Sequence, residues 1–371
     1  MRYTSTRDVS VSVTFEEALF SGYAPDGGLY VPAFLPCVSE TSQSPEPDGN
    51  IATKKTLLQS WSQIISYADL MYAVLRLFIA QDEVDEASLR RICTATVTGF
   101  DNPAHAVTVR QLHRRDNSSS KSSSVPLFVA ELWHGPTHCF KDFGLRGVVN
   151  LLDYFCQKRQ QRLSLLVATT GDTGPAAVQA VADNAANNIS GQNLLKAIVH
   201  YPHGQISDFQ RKSLTTVASP FVQIVAFDGG GDDMDAPIKT ILQSSKSQQQ
   251  QTDGKTLSNN ASLTTGINSY NIGRPLLQMV HYIWTYLRVV EQTPSAILGE
   301  TAVDMVVPTG AMGNLVAATM VAGMGVPIGK LTAAVNVNDI SHRLVSTGAF
   351  HRSDVMHQTL SEAISMWDDN L

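Results

Sequence analysis

The chain has 371 residues, of which 43% are hydrophobic and 16% are charged, and its formal net charge is −6. This apolar content is sufficient for roughly two to three domains' worth of buried core. The low and slightly acidic charge excludes the basic electrostatic footprint of a nucleic-acid-binding protein, and favours a soluble enzyme of small molecules.

The sequence does not indicate a targeting or membrane-spanning segment. The N-terminal residues, MRYTSTRDVS, lack the apolar run of a signal peptide. Prolines and glycines interrupt the most apolar region, 302–335, so no uninterrupted apolar run reaches about 18 residues. The four cysteines show no C-x-x-C spacing and no accompanying set of histidines. We therefore expect no disulfide framework, no metal, no membrane partner and a cytoplasmic location.

Three polar segments, 39–50, 114–124 and 244–260, are rich in Ser and Gln. They carry too little apolar surface to pack into a core. We interpret them as solvent-exposed insertions between ordered elements. The second of them lies near a plausible boundary between an N-terminal module and the rest of the chain.

After residue 124 the sequence alternates between short apolar runs and longer segments with helical spacing. The runs have the length and the Val, Leu and Ile content of strands buried on both faces of a parallel sheet. They are LFVAELW (127–133), LSLLVATT (163–170), AIVHY (197–201), VQIVAF (222–227), DMVVP (304–308) and LTAAVN (331–336).

Two of the intervening segments have apolar residues on one helical stripe. The stripes are Phe143, Val148, Leu151, Leu152 and Phe155 in the first, and Ala177, Val178, Val181 and Ala182 in the second. Strands that alternate with helices predict an α/β fold with a parallel sheet. Ligands of such sheets bind at the carboxyl ends of the strands, so the loops after the strands are candidates for the site.

The first candidate loop contains Lys141, between Phe140 and Phe143 at the start of a predicted helix. Burial among apolar groups lowers the pKa of a lysine, and a neutral amine is what Schiff-base chemistry requires. The alternative is an ordinary lysine whose stem packs while its head reaches water.

The second candidate loop is TGDTG, 170–174, between a predicted strand and a helix. Backbone N–H groups and hydroxyls at a helix N-terminus bind phosphate or carboxylate. The alternative is a capped turn in which Asp172 or Thr173 is the N-cap.

The third candidate loop is PTGAMGN, 308–314, also between a predicted strand and a helix. Its two glycines permit close approach of the backbone to an anion. It is neither a Walker loop nor a dinucleotide fingerprint, because the spacing of both is absent.

Together these loops resemble those of threonine synthases. HGPTHCFKDFGL (134–145) is similar to the cofactor-lysine segment of that family, TGDTG to its substrate-side loop and PTGAMGN to its cofactor-phosphate loop. Further similar segments, in the family's order, are Tyr3, 5–7, 24–32, 201–204, 206–207, 268–274 and 336–339.

The resemblance implies the tryptophan-synthase-β-like fold, fold type II of the enzymes that use pyridoxal 5'-phosphate (PLP). It implies a threonine-synthase-type N-terminal domain over 1–108 and a PLP-dependent catalytic core over 109–371. By the same resemblance Lys141 would bind and act with PLP, while Gly310, Ala311, Met312, Gly313 and Asn314 would hold its phosphate. The implied substrate-binding residues are His134, Thr137, Thr170, Gly171, Asp172, Thr173, Asn271 and Arg274, with Lys212 a further candidate for the substrate phosphate. Arg274 could equally be a structural ion-pair partner.

Four features of the sequence depart from the family pattern. Cys139 replaces a usual Ala or Ser, and Ala311 replaces a usual Asn, so a side-chain amide near the cofactor is lost. The segment 235–239 and the T-G-A-x-G-N loop are more similar to the threonine synthase-like 2 branch of animals, which is associated with the breakdown of O-phosphothreonine and O-phosphoserine. The family usually continues beyond the segment that resembles 364–366, whereas this sequence ends at WDDNL.

From the resemblance we expect a phospho-lyase that converts O-phosphothreonine or O-phosphoserine to a 2-keto acid and ammonia. The first alternative is threonine synthase, which converts O-phosphohomoserine to threonine and phosphate. The second is a non-catalytic binding or signalling homologue, suggested by the early C-terminus. We expect a small-molecule phosphoamino acid as the ligand, and a monomer or homodimer.

Overall fold

The computed structural model describes residues 1–39, 55–112, 125–187, 192–229, 233–234, 237–242, 263–337 and 339–349, and the backbone of strands at 43–45 and 51–53. Most of the predicted polar insertions, Asp235, Asn338 and the C-terminal segment 364–371 lie outside the described residues. No helix in the described ranges is long and apolar enough to cross a membrane.

The elements follow one another in the α/β order that the sequence predicts. The strands are β1 (Tyr3–Ser5), β2 (Tyr30–Pro32), β3 (Gln43–Pro45), β4 (Ile51–Thr53), β5 (Thr108–Leu112), β6 (Leu127–Glu131), β7 (Leu163–Ala168), β8 (Leu195–Pro202), β9 (Val222–Phe227), β10 (Leu263–Gly266), β11 (Val303–Pro308) and β12 (Ile328–Ala334). The helices are α1 (Phe15–Ser21), α2 (Leu57–Trp61), α3 (Tyr67–Leu75), α4 (Glu86–Val97), α5 (Lys141–Arg159), α6 (Thr173–Asn187), α7 (Asp208–Thr215), α8 (Gly273–Gln292), α9 (Gly313–Gly323) and α10 (Ile340–Thr347).

The largest sheet is parallel and has the strand order β10-β7-β8-β9. Leu165 of β7 pairs with Ala197 of β8 on one side and with Thr265 of β10 on the other. All residues of β7 except Ser164 are buried, as expected of a strand covered on both faces. Strands β11 and β12 form a second, two-stranded parallel sheet. The predicted parallel α/β fold is confirmed.

Two details of the predicted sheet are wrong. β6 was expected in the parallel sheet, but it pairs antiparallel with β5, so that Thr108 faces Glu131. Apolar content does not distinguish these two environments, because both need β-branched and aromatic residues. β11 was expected to be buried on both faces, but its residues alternate, and Val306 is 70% exposed.

Helix α5 has the predicted apolar stripe. All five residues of the stripe are at most 1% exposed. It packs closely on α8 at Gly147, where an added Cβ would lie 2.5 Å from the Cδ atoms of Leu277. The N-terminal region joins the same continuous hydrophobic core. Tyr67 of α3 contacts the rings of Phe143 on α5 and Trp284 on α8, at centroid distances of 5.5 Å each. The predicted boundary at 108/109 stays a prediction.

Candidate active site

Three of the predicted segments meet at one cavity of about 400 Å³. Lys141 and Asp172 lie on its wall, together with Arg274 and the loop 308–314. The ends of β11 and β12 form another part of the wall, through Pro308 and residues 334–336. The cavity therefore lies at the carboxyl ends of parallel strands, where the sequence predicts ligands to bind.

Lys141 is the first residue of α5 and is only 5% exposed. Its Nζ lies 5.6 Å from the centroid of the Phe140 ring. The alternative in which the lysine head reaches bulk water is therefore wrong. The preceding turn is fixed by Asp142, which accepts hydrogen bonds from the Thr137 backbone N–H at 2.9 Å and hydroxyl at 2.7 Å. Thr137 thus acts on the shape of the lysine turn and does not line the cavity.

Burial raises the pKa of Asp142, and the two hydrogen bonds from Thr137 offset part of that increase. Asp142 is 1% exposed, so these bonds replace the water that the carboxylate loses on folding. The arrangement holds the turn that ends at Lys141 in a single shape. A lysine presented by such a turn loses little further freedom when it binds a ligand.

The loop 310–314 leads into α9, which begins at Gly313. Met312 is in the left-handed region, with φ 56°, which costs a non-glycine residue roughly 1–2 kcal/mol. The Gly310 carbonyl accepts a hydrogen bond from the Ser341 hydroxyl at 2.9 Å, which ties the loop to α10. A Cβ added to Gly313 would meet only Ser269 Cβ, at 3.6 Å, so the space beside Gly313 is open.

These features fit a phosphate. The N-terminus of a helix presents backbone N–H groups and the positive end of the dipole, and both stabilise an anion. The Arg274 guanidinium, on α8, adds a positive charge to the same cavity wall. A ligand with a phosphate at one end and an aldehyde at the other would therefore find a donor set and an amine. The residues present fit PLP.

Asn314 is the second residue of α9 and lies on the cavity wall, 8% exposed. Its side-chain oxygen accepts a hydrogen bond from Nε2 of His281, at 3.0 Å. Sequence reasoning missed His281, because a single histidine in an apolar helix carries no motif. Only the packing of α8 against α9 brings it to the site.

Asp172 lies on the cavity wall between two donors. Its Oδ1 accepts a hydrogen bond from Nε2 of Gln210 at 2.9 Å, and the Cys139 thiol lies 3.7 Å from its Oδ2. Burial raises the pKa of Cys139 to about 12, so the thiol keeps its proton and acts as the donor. The predicted neighbours Thr170, Gly171 and Thr173 adjoin Asp172 but do not line the cavity.

The loop that carries Asp172 is shaped by Thr169, which sequence reasoning did not single out. The Thr169 hydroxyl donates to the Gly171 carbonyl at 2.8 Å. Its oxygen accepts from the backbone N–H of Gly174 at 2.9 Å. Since Thr169 is only 2% exposed, it acts on the loop backbone and not on a ligand.

Two further predicted residues, Asn271 and Lys212, lie away from the cavity wall. Asn271 is fully buried, and its amide donates to the backbone carbonyls of Leu19 at 2.8 Å and Gly266 at 3.1 Å. Lys212 lies on an exposed face of α7. Asn271 therefore fixes the entry to α8, and direct contact of either residue with substrate stays a prediction.

His134 also lies away from the cavity wall, between two carboxylates. Its Nδ1 is 2.9 Å from Asp101 Oδ2 and its Nε2 is 2.8 Å from Glu131 Oε2. Hydrogen bonds to Asp101, and then to Glu131, raise the pKa of His134. The histidine thus links Glu131, at the end of β6, to Asp101.

The chain is similar over nearly its full length to known proteins. A family model described as the threonine synthase N terminus matches residues 2–46. The chain is 34% identical to threonine synthase-like 2 from Xenopus laevis over 366 residues, which cover 99% of this chain and 66% of that protein. It is 31% identical to threonine synthase from Saccharomyces cerevisiae over 373 residues, which cover 98% of this chain and 63% of the yeast protein.

Two crystal structures agree with these matches. Threonine synthase from yeast aligns with a TM-score of 0.75 at 30% identity, over 98% of this chain and 64% of that one. PLP-bound threonine synthase from Brucella melitensis aligns with a TM-score of 0.72 at 27% identity, over 99% and 67%. The chain spans slightly less than two thirds of the length of the Xenopus and yeast relatives.

Proposed function

Because the chain belongs to the threonine synthase family, we propose that it is a PLP-dependent lyase acting on O-phosphothreonine or O-phosphoserine. The products are a 2-keto acid, ammonia and phosphate. The observation that carries this proposal is the cavity in which Lys141, Arg274 and the loop 310–314 meet. The cofactor is the one bound in the threonine synthase from Brucella melitensis.

Each part of the cavity wall has a role in this reaction. Lys141 supplies the amine that binds the cofactor aldehyde, and the residues Gly310, Ala311, Met312, Gly313 and Asn314 hold its phosphate. PLP supplies an electron sink, which makes the Cα proton of a bound amino acid acidic. The buried amine of Lys141 takes that proton once the substrate has displaced it.

The elimination balances without a further reactant apart from water. The Cα–H bond breaks first, and its electron pair forms the Cα–Cβ double bond as the Cβ–O bond breaks. Phosphate leaves with the electron pair of the Cβ–O bond. The released enamine takes up one water and gives the keto acid and ammonia. Arg274 is the side chain we assign to an anionic group of the substrate, because it is a buried cation on the cavity wall.

The substrate-side loop supplies the remaining proposed contacts. We assign Thr170, Gly171, Asp172 and Thr173 to the α-carboxylate region, where the backbone N–H groups at the start of α6 favour an anion. Because Asp172 is itself an acceptor, its side chain is suited to a donor group of the substrate and not to the carboxylate. Outside the cavity wall, Thr137 supports the turn before Lys141, Asn271 supports the entry to α8, and His134 links β6 to Asp101.

Threonine synthase is the second candidate function, favoured by the similarity to the yeast enzyme. Ala311 favours elimination: it lies on the cavity wall and has no polar side chain. Threonine synthesis must deliver one water to a chosen carbon of a reactive intermediate, which requires an ordered and closed site. β-Elimination has no such step.

Product analysis separates the two candidates. Purified protein with PLP is incubated with O-phosphothreonine, O-phosphoserine or O-phosphohomoserine, and phosphate, keto acid and threonine are measured. We expect phosphate and 2-oxobutanoate in equal amounts from O-phosphothreonine, and none from the Lys141→Ala variant. Threonine as the main product from O-phosphohomoserine would establish the synthase, and no product from any substrate would support the non-catalytic homologue.

A further inference from the structure

His281 occupies an unusual place for a titratable side chain. It lies in the middle of α8, is 1% exposed, and is surrounded by apolar residues of the core. Its Nε2 is 3.0 Å from the side-chain oxygen of Asn314, and its Nδ1 has no hydrogen-bond partner. The ring therefore makes one polar contact within the described residues, and that contact is to the cavity wall.

Two ring contacts, with Phe143 and Tyr282, and the surrounding helices keep the His281 ring in this orientation. Phe143, two residues after Lys141 on α5, packs against it edge-on at a centroid distance of 5.8 Å. The centroid of the Tyr282 ring lies 4.5 Å from that of His281. The His281 ring thus connects the helix that begins with the candidate catalytic lysine to the helix that begins at the phosphate loop.

The protonation state of His281 follows from its burial. Burial lowers the pKa of His281 to about 4, and the Asn314 hydrogen bond offsets only part of that effect. The ring is therefore neutral at ordinary pH and carries one proton. Since Nε2 faces an amide oxygen, that proton is on Nε2, and Nδ1 is the free acceptor.

The hydrogen bond determines which end of the Asn314 amide faces the cavity. With its oxygen held by His281, the amide nitrogen is left without an acceptor among the described residues. Asn314 is the second residue of α9 and lies on the cavity wall, so this NH2 group is available to act as a donor together with the N-terminal N–H groups of that helix. A rotated amide would place an oxygen there and repel an anion.

We propose that His281 is a positioning residue, which fixes the Asn314 amide with its NH2 group toward a phosphate bound at the start of α9. This inference rests on the proposed function, since the phosphate it invokes is that of PLP. His281 does not contact the ligand itself. It acts through the amide that it orients.

The test compares binding of PLP with binding of pyridoxal, which has the aldehyde but no phosphate. The variant His281→Leu keeps the apolar packing and removes the donor. The matched control His281→Gln places an amide N–H near the position of Nε2 and retains the donor. Dissociation constants are measured by absorbance titration in both variants, in Asn314→Ala and in the double variant, and thermal unfolding reports folding.

We expect His281→Leu to weaken PLP binding about ten- to hundred-fold, the effect of losing one hydrogen bond to a charged group, and to leave pyridoxal binding within about twofold. His281→Gln should retain most of the PLP affinity. In the Asn314→Ala background, His281→Leu should add no further loss. If His281→Leu does not fold, His281→Asn replaces it, because its shorter amide cannot reach Asn314.

Equal losses for PLP and pyridoxal, or additive losses in the double variant, would overturn the inference and assign His281 a packing role alone. Those results would leave the proposed function standing, because wild-type protein would still bind PLP. Wild-type protein that binds neither PLP nor pyridoxal would contradict both.

Discussion

Replacing Gly313 by alanine tests how the site holds a phosphate. Gly313 is the first residue of α9 and lies on the cavity wall. Its backbone is not in the left-handed region, and an added Cβ would meet only Ser269 Cβ at 3.6 Å, an ordinary van der Waals distance. The protein can therefore accept the methyl group without strain, but the methyl group then takes up space that a phosphate needs.

The two expected effects have opposite signs. Alanine at an unstrained glycine position raises the free energy of unfolding by about 0.4–1 kcal/mol, because it restricts the unfolded chain. Each hydrogen bond from the backbone to a charged phosphate is worth about 1.5–3 kcal/mol. Displacement of the phosphate from one such bond should raise the Kd for PLP about 10- to 150-fold. Gly313→Val, with a larger and branched side chain, should weaken binding further.

The assay is PLP titration of the purified protein, followed by absorbance, with thermal unfolding measured in parallel. Thr319→Ala is the matched control, because Thr319 lies on the exposed face of the same helix and away from the cavity. We expect Gly313→Ala to bind PLP weakly while its melting temperature without cofactor equals or exceeds that of wild type. Unchanged PLP affinity in a folded Gly313→Ala protein would refute the assignment of this loop to the phosphate.

Two further predictions concern stability. The pKa of His134 is raised in the folded protein by Asp101 and Glu131, so its contribution to stability is fully present below the unfolded value of about 6.5 and is lost as the pH rises through the higher folded value. His134→Gln should reduce the decrease in the free energy of unfolding above pH 6.5. An unchanged pH profile would show that the two contacts contribute nothing to the pH dependence of stability. Gly147→Ala should lower the free energy of unfolding by about 1–2 kcal/mol, because overpacking against Leu277 costs about 1–3 kcal/mol and helix propensity returns up to about 1 kcal/mol. Urea denaturation measures this, and a variant as stable as wild type would show that the two helices separate to accommodate the methyl group.

Local patterns account for the parts of the fold that the sequence predicted. The apolar stripe of α5 is set by a period of 3.6 residues, and the burial of β7 by a continuous apolar run. β10 was missed because its sequence, Leu-Thr-Thr-Gly, is short and half polar. Its place in the sheet depends on pairing with β7, which begins 100 residues earlier.

The residues of the candidate site likewise fall into those that local motifs predicted and those that depend on contacts between distant elements. Lys141 and the loop 310–314 belong to contiguous motifs, so the sequence could place them at the starts of helices. Asn271 belongs to a motif as well, but its amide bonds to Leu19, 252 residues away, which no local pattern reveals. His281 reaches Asn314 only because α8 packs against α9. Contacts between distant elements are what the sequence alone could not supply.

The proposed function depends on the attachment of PLP to Lys141, which can be measured directly. Protein loaded with PLP is reduced with borohydride, digested, and analysed by mass spectrometry for the modified lysine. We predict a single pyridoxyl adduct on Lys141, which lies buried at the cavity wall beside Phe140, and no adduct in Lys141→Ala. An adduct on a different lysine, or its persistence in the Lys141→Ala variant, would contradict the account.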